Sequence, residues 1–180
     1  MLPALFWFPF LVAGLAVMAK QGEPLGLGLW LLIAGTIIGW LAVNRWGLFE
    51  NDRMKRQLEL ILHAKGTTLT DAIFVGFSTP KYSSTLDPHE DVGFLILEAD
   101  HLRFVSETRE INLPRPSVGS IHFRPNIHSL LLLGRWLAVE GEMDGKPIRL
   151  LLEPRKHRTL LKNRQEGKAL LAKMLAWSKA

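Results

Sequence analysis

The chain has 180 residues, a net charge of +5, 48% hydrophobic residues and no cysteine. The lack of cysteine excludes disulfide bonds, thiolate metal ligands and a cysteine nucleophile. The positive charge is concentrated in residues 153–180, which carry eight basic and two acidic side chains, and no Phe, Tyr or Trp interleaves with the bases from Arg155 to Lys173 to stack on nucleotides. We therefore expect no nucleic-acid partner.

The stretch from Leu2 to Asn44 has the composition of a membrane anchor. No charged residue lies between Leu2 and Ala19, or between Pro24 and Asn44. An apolar helix needs about 20 residues to cross the bilayer core, a length that the second segment reaches easily and the first only just. We expect a transmembrane helical hairpin over residues 1–44, turning at Lys20-Gln21-Gly22-Glu23-Pro24. Val17-Met18-Ala19 also fits a signal cleavage site, so removal of the first helix is an alternative.

Two glycines in the second apolar segment are spaced for close helix packing. Gly35 and Gly39 are four residues apart and fall on one helix face, where the lack of a side chain lets another helix approach. Contact with the first helix of the hairpin is the favoured interpretation. Homodimerisation through the same face is the alternative.

The charges that flank the second segment predict its orientation. The basic residues Arg45, Arg53, Lys55 and Arg56 follow it, whereas the turn of the hairpin has only Lys20. Basic flanks stay on the cytoplasmic side of a membrane. We expect a two-pass integral protein of the bacterial inner membrane, with its C-terminal domain in the cytoplasm.

Residues 45–66 are predicted to form an amphipathic connector helix. Met54, Leu58, Ile61 and Leu62 recur with helical spacing on one face. This apolar face either packs on the following domain, which we favour, or lies at the lipid headgroups with the neighbouring basic side chains.

Residues 67–180 change to the pattern of strands, with one helix at the end. Strands are predicted at 71–78, 92–98, 101–107, 110–113, 118–123, 130–142 and 147–153, and a helix at 158–178. Asp144-Gly145 supplies the positive φ angles that a tight hairpin turn needs.

Three segments of this domain carry a family resemblance. They are Val92-Gly93-Phe94-Leu95-Ile96-Leu97, then His101-Leu102-Arg103-Phe104-Val105, and then Ile111-Asn112-Leu113-Pro114 followed by Val118-Gly119-Ser120-Ile121. From about Leu69 to Trp177 the chain resembles the pleckstrin-homology-like (PH-like) superfold, most closely its GRAM-type members. The resemblance implies an α+β membrane protein whose antiparallel β-barrel or sandwich is plugged by the C-terminal helix, through Leu171 and Leu175. It also implies binding of lipid headgroups or of a protein.

No catalytic, metal or cofactor site is expected. Asp87-Pro88-His89-Glu90-Asp91 is the densest group of metal-ligand types, but four near-consecutive residues cannot all face one ion, and a solvated loop is favoured. His122 and His128 flank a turn without further ligands. Ser83 and Ser84 lack the surroundings of a hydrolase nucleophile.

The basic residues around the C-terminal helix are the candidate binding site. On a domain tethered to the inner leaflet, each Lys or Arg near anionic lipid gains about 1 kcal/mol. We expect a non-enzymatic, membrane-anchored module for anionic lipid headgroups or a protein partner. The alternative is an accessory subunit of a larger membrane complex, assembled through the hairpin. The expected lipid-binding residues are Arg155, Lys156, Arg158 and Lys162, extended by Lys55 and Arg56.

Overall fold

The computed structural model describes residues 2–22, 26–81, 89–126, 129 and 132–180, with side chains from Trp7 onward. The chain divides into two compact units. The first comprises Met1–Phe49 and Arg158–Leu160, and the second comprises Glu50–His157 and Leu161–Ala180.

The first unit is built on two apolar helices, α1 (Leu2–Gln21) and α2 (Leu27–Trp46). They run antiparallel, because Gly39 of α2 lies against Trp7, near the start of α1, whereas Gly28 lies against Met18, near its end. Gly22 ends α1 with a φ of +66°, a conformation that residues other than glycine adopt at a cost.

The membrane expectation is supported for one helix. Among the residues with described side chains, one helical stretch, beginning at Leu27, is long and apolar enough to cross a membrane, with a mean hydropathy of 1.8. The described apolar part of α1, Trp7–Gln21, is shorter than this length. Length and composition therefore identify α2 as the candidate span.

The second unit begins with the amphipathic helix α3 (Asn51–Ala64). Its apolar residues Met54, Leu58 and Leu62 pack against one face of a sheet, in a cluster with Phe74 and Phe94. The apolar face of the connector is therefore occupied by the domain and does not lie at the headgroups.

The second unit also contains one antiparallel sheet, in the order β4-β3-β2-β1-β7-β6-β5. Strands β1 to β4 and strands β5 to β7 each pair in chain order, and β1 joins the two halves by pairing with both β2 and β7. The described strands are β1 (Ile73–Ser78), β2 (Asp91–Leu97), β3 (His101–Ser106), β4 (Glu110–Pro114), β5 (Val118–Arg124), β6 (Trp136–Met143) and β7 (Lys146–Pro154).

This order with a C-terminal helix is compatible with the PH-like arrangement, although the sheet differs from the barrel or sandwich that the resemblance implied. It is open, with β4 and β5 at its edges. Strand β6 begins at Trp136, later than expected, and Leu132 before it has a positive φ of 59°, which interrupts extended backbone. The β6–β7 turn has the expected positive φ angles at Asp144 and Gly145.

The main core lies between the other face of the sheet and α4 (Leu160–Lys179). Leu170 and Met174 of α4 are buried among side chains from all the described strands. The expectation that Leu171 and Leu175 fill this position is met only in part, since Leu171 is partly buried and packs against the core, whereas Leu175 is 36% exposed. One residue of rotation is about 100° around a helix, which is enough to exchange faces.

Candidate anion-binding groove

A groove in the second unit brings together lysines from three parts of the chain. It has a volume of about 390 Å³ and lies between α3, the start of β1, the end of β7 and one face of α4. Apolar side chains, including Phe74 and Leu170, form part of its lining. The charged residues that line it are Lys55, Asp71, Lys156, Glu166 and Lys173.

The helical spacing that brings apolar residues of α3 and α4 into the core also brings residues of both helices to the groove. On α4, Glu166, Ala169 and Lys173 follow one another at helical spacing along the groove, beside the core face that contains Leu170 and Met174. On α3, Lys55 is next to Met54, which packs against the sheet. The docking of both helices therefore fixes the positions of their lysines.

Arg155 secures the junction between α3 and the end of β7. Its backbone N–H donates to the carbonyl of Phe74 at 2.9 Å, and its carbonyl accepts from the side-chain amide of Asn51. The residue is only 7% exposed. Arg155 is therefore much less accessible than the other basic residues expected to bind lipid, and its role in lipid binding stays a prediction. The next residue, Lys156, emerges into the groove.

The ion pairs that involve the groove lysines are exposed and weak. Lys156 Nζ lies 3.3 Å from Glu166 Oε1, with the lysine side chain 61% exposed. Lys55 Nζ lies 3.7 Å from Glu59 Oε1, and both side chains are more than 40% exposed. Such pairs contribute about 0–1 kcal/mol, so the ammonium groups can turn toward an anion at little cost.

Glu166 is the acidic residue held most firmly in this groove. Its Oε1 lies 3.1 Å from Nε2 of His157, in addition to its contact with Lys156. The hydrogen bond with His157, and then that with Lys156, hold the pKa of Glu166 below its ordinary value despite partial burial. The carboxylate therefore stays ionised at neutral pH, with Lys156 beside it at the groove.

Lys173 is exposed and is the groove lysine that our expected set omitted. Within the described ranges the structure gives it no acidic partner within 4 Å. Its spacing of seven residues from Glu166 on α4 was the available signal. The other members of the expected set, Arg56, Arg158 and Lys162, are exposed and are not among the residues lining the groove.

The two glycines expected at a helix contact are both buried in the first unit. A Cβ atom on Gly35 would overlap Phe10, and one on Gly39 would lie 3.0 Å from Cβ of Trp7. Both glycines therefore face α1, the arrangement that the favoured interpretation requires. Any larger residue would separate the two helices.

The described residues of the segment considered for metal binding, His89, Glu90 and Asp91, contribute to the fold. His89 is buried beside Trp136, and its Nε2 lies 3.1 Å from Oε2 of Glu153. Glu90 and Asp91 both contact the guanidinium of Arg109. Among the described residues, no group of three or more His, Cys, Asp or Glu residues could hold a metal ion. Glu23, Ser83, Ser84, Asp87, Pro88 and His128 lie outside the described residues.

No protein-family model matches the chain, and no curated protein matches it either. Its function is therefore inferred from the fold and the groove.

Proposed function

We propose that this protein is a two-pass inner-membrane protein of GRAM-type, PH-like architecture, whose cytoplasmic domain binds anionic lipid headgroups in the groove. The role is one of binding rather than catalysis. The observation that carries the proposal is the convergence of Lys55, Lys156 and Lys173 on one groove.

The chemistry of the groove suits a phosphodiester headgroup. Ammonium groups attract the phosphate, and the apolar lining accommodates the glycerol and the first methylene groups of a lipid. With about 1 kcal/mol for each lysine near anionic lipid, three lysines contribute at most about 3 kcal/mol, and the carboxylates of Asp71 and Glu166 in the same lining offset part of this.

The membrane part of the proposal is supported by the apolar α2 and by the basic residues that follow it. We expect a reporter inserted at Gly22 to behave as exported and one fused after Ala180 to behave as cytoplasmic. An exported reporter at Ala180 would contradict the orientation. Cytoplasmic reporters at both positions would contradict the two-pass topology.

Lipid binding is tested with the full chain in phosphatidylcholine nanodiscs, titrated with short-chain phosphatidylglycerol. The groove variant is Lys55→Gln, Lys156→Gln and Lys173→Gln. The matched control is Arg56→Gln, Lys162→Gln and Lys168→Gln, which removes three exposed positive charges outside the groove.

We expect the groove variant to bind at least tenfold more weakly than the control variant. Wild-type binding should weaken as salt rises, because salt screens exposed charges. Equal loss in both variants would mean that only the net charge matters. No wild-type binding, together with a stoichiometric partner that copurifies in mild detergent, would support the accessory-subunit alternative.

A further inference from the structure

Two arginines lie near Phe123 and the start of β6, away from the residues that line the groove. The guanidinium carbon of Arg135, just before β6, lies 3.4 Å from the centre of the Phe123 ring on β5. Gly167 of α4 faces the same ring, since a Cβ atom added there would lie 3.8 Å from its Cε1. Arg164, one turn earlier on α4, donates from Nη1 to the carbonyl of Leu132. The stacking and this hydrogen bond fix both guanidinium groups in place.

The two arginines lie in the same part of the second unit, since Arg164 donates to the carbonyl of Leu132, three residues before Arg135. Burial, and then the charge of Arg164, lower the pKa of Arg135 from its ordinary value. Arginine nevertheless stays charged at neutral pH. The site therefore contains two positive charges, and their proximity is unfavourable unless an anion compensates it.

No carboxylate of the described part of the chain lies within 4 Å of either guanidinium. Glu153 is close to Arg135, but its Oε1 accepts the backbone N–H of Arg135, at 3.2 Å. Its Oε2 faces His89 and the side-chain amide of Asn126. Nε of Arg135 is buried and has no hydrogen-bond acceptor among the described residues. A buried donor without an acceptor is costly, so this pair lacks the group that would complete it.

We infer that Arg135 and Arg164 form a binding site for a phosphate group. Guanidinium groups bind phosphate oxygens in a forked geometry, and two of them balance the double negative charge that phosphate approaches at neutral pH. A carboxylate would leave one positive charge uncompensated. The phosphate belongs either to a small soluble molecule or to a lipid headgroup. The site shares no residue with the groove, and it does not depend on the proposed function.

The test uses the full chain in neutral detergent, titrated with inorganic phosphate while potassium chloride keeps the ionic strength constant. Thermal unfolding should show a saturable stabilisation, since a ligand that binds only the folded state raises its stability. Acetate should bind at least tenfold more weakly than phosphate. No saturable effect of phosphate, or equal binding of acetate, would overturn the inference.

Single-charge variants distinguish binding from a structural role. Arg164→Gln should weaken phosphate binding at least tenfold. Without phosphate it should melt at the wild-type temperature or above, because it removes the repulsion with Arg135. Lys168→Gln, one turn further along α4, is the matched control and should bind like wild type. A normal phosphate response in Arg164→Gln, with a lower melting temperature, would show a purely structural arginine.

Two further arms identify the source of the phosphate. Glycerol 3-phosphate represents soluble phosphorylated molecules, and phosphatidic acid in phosphatidylcholine nanodiscs represents headgroups. A response to either that disappears in Arg164→Gln supports the site and names its source, whereas a response to neither overturns it. The triple groove variant should keep its phosphate response, so this site and the proposed function can fail separately.

Discussion

Met174 provides the sharpest test of how α4 closes the domain. Its side chain is fully buried in the main core, and the next residue, Leu175, is 36% exposed. Replacing a buried methionine by alanine costs about 2–5 kcal/mol, through lost burial and the cavity left behind. We expect Met174→Ala to lower the free energy of unfolding by about 3 kcal/mol, near the middle of that range.

Leu175→Ala is the matched control. Methionine and leucine have similar helix propensities, so changing either to alanine alters the intrinsic stability of the helix by nearly the same amount. The difference between the two variants therefore measures burial. Because the leucine is partly exposed, we expect its replacement to cost less than about 1 kcal/mol.

Urea unfolding of the full chain in neutral detergent, followed by circular dichroism at the strand signal, measures both effects. Hydrogen exchange of the β6 and β7 amides checks that the loss lies in the sheet domain. If Met174→Ala and Leu175→Ala are equally destabilising, or if both melt like wild type, α4 does not dock through the face that contains Met174.

Two other predictions concern α4 and the start of β2. Gly167→Ala should stabilise the protein by about 0.5–1 kcal/mol in the same urea assay, because alanine favours a helix more than glycine does. The added Cβ would make only an ordinary contact with Phe123, at 3.8 Å. A destabilised variant would contradict this packing. The hydrogen bond from Arg109 holds the pKa of Glu90 below its ordinary 4.5; burial opposes this effect and hydrogen bonds from Thr79 add to it. Ionised Glu90 therefore stabilises the fold above pH 4.5. This contribution is lost as the pH falls through the lowered pKa of Glu90. Wild type should therefore be more stable than Glu90→Gln at neutral pH, and the gap should close in acid; a gap independent of pH would refute the assignment.

The local character of most elements follows from the sequence. The two apolar runs on either side of the polar turn at residues 20–24 predict the helices α1 and α2, because backbone groups in an apolar setting must form their hydrogen bonds within the segment. The spacing of Met54, Leu58 and Leu62 predicts α3, and the Asp144-Gly145 pair predicts the last hairpin. These features depend on neighbours in the chain, so periodicity and backbone preference are sufficient to determine them.

What covers each apolar face was decided by the tertiary structure. Helical spacing shows that α4 is amphipathic, but Leu170 and Leu171 fit the pattern almost equally well, and only packing against the sheet selects Leu170 with Met174. The same is true of charge. In the sequence, Arg155 is indistinguishable from the exposed cations around it. In the structure it lies in a buried junction, where its carbonyl accepts a hydrogen bond from the side-chain amide of Asn51, 104 residues earlier.

The candidate sites depend most strongly on tertiary structure. Lys55 and Lys173 line one groove because β1 pairs with β7 and two helices dock near that junction. Arg135 and Arg164 lie in one neighbourhood because the end of β5 and the residues before β6 pack beside α4. Sequence patterns report which face of an element is apolar, whereas contacts between distant elements depend on the register of strands and the rotation of helices. Those are set by how all the side chains fill the core together.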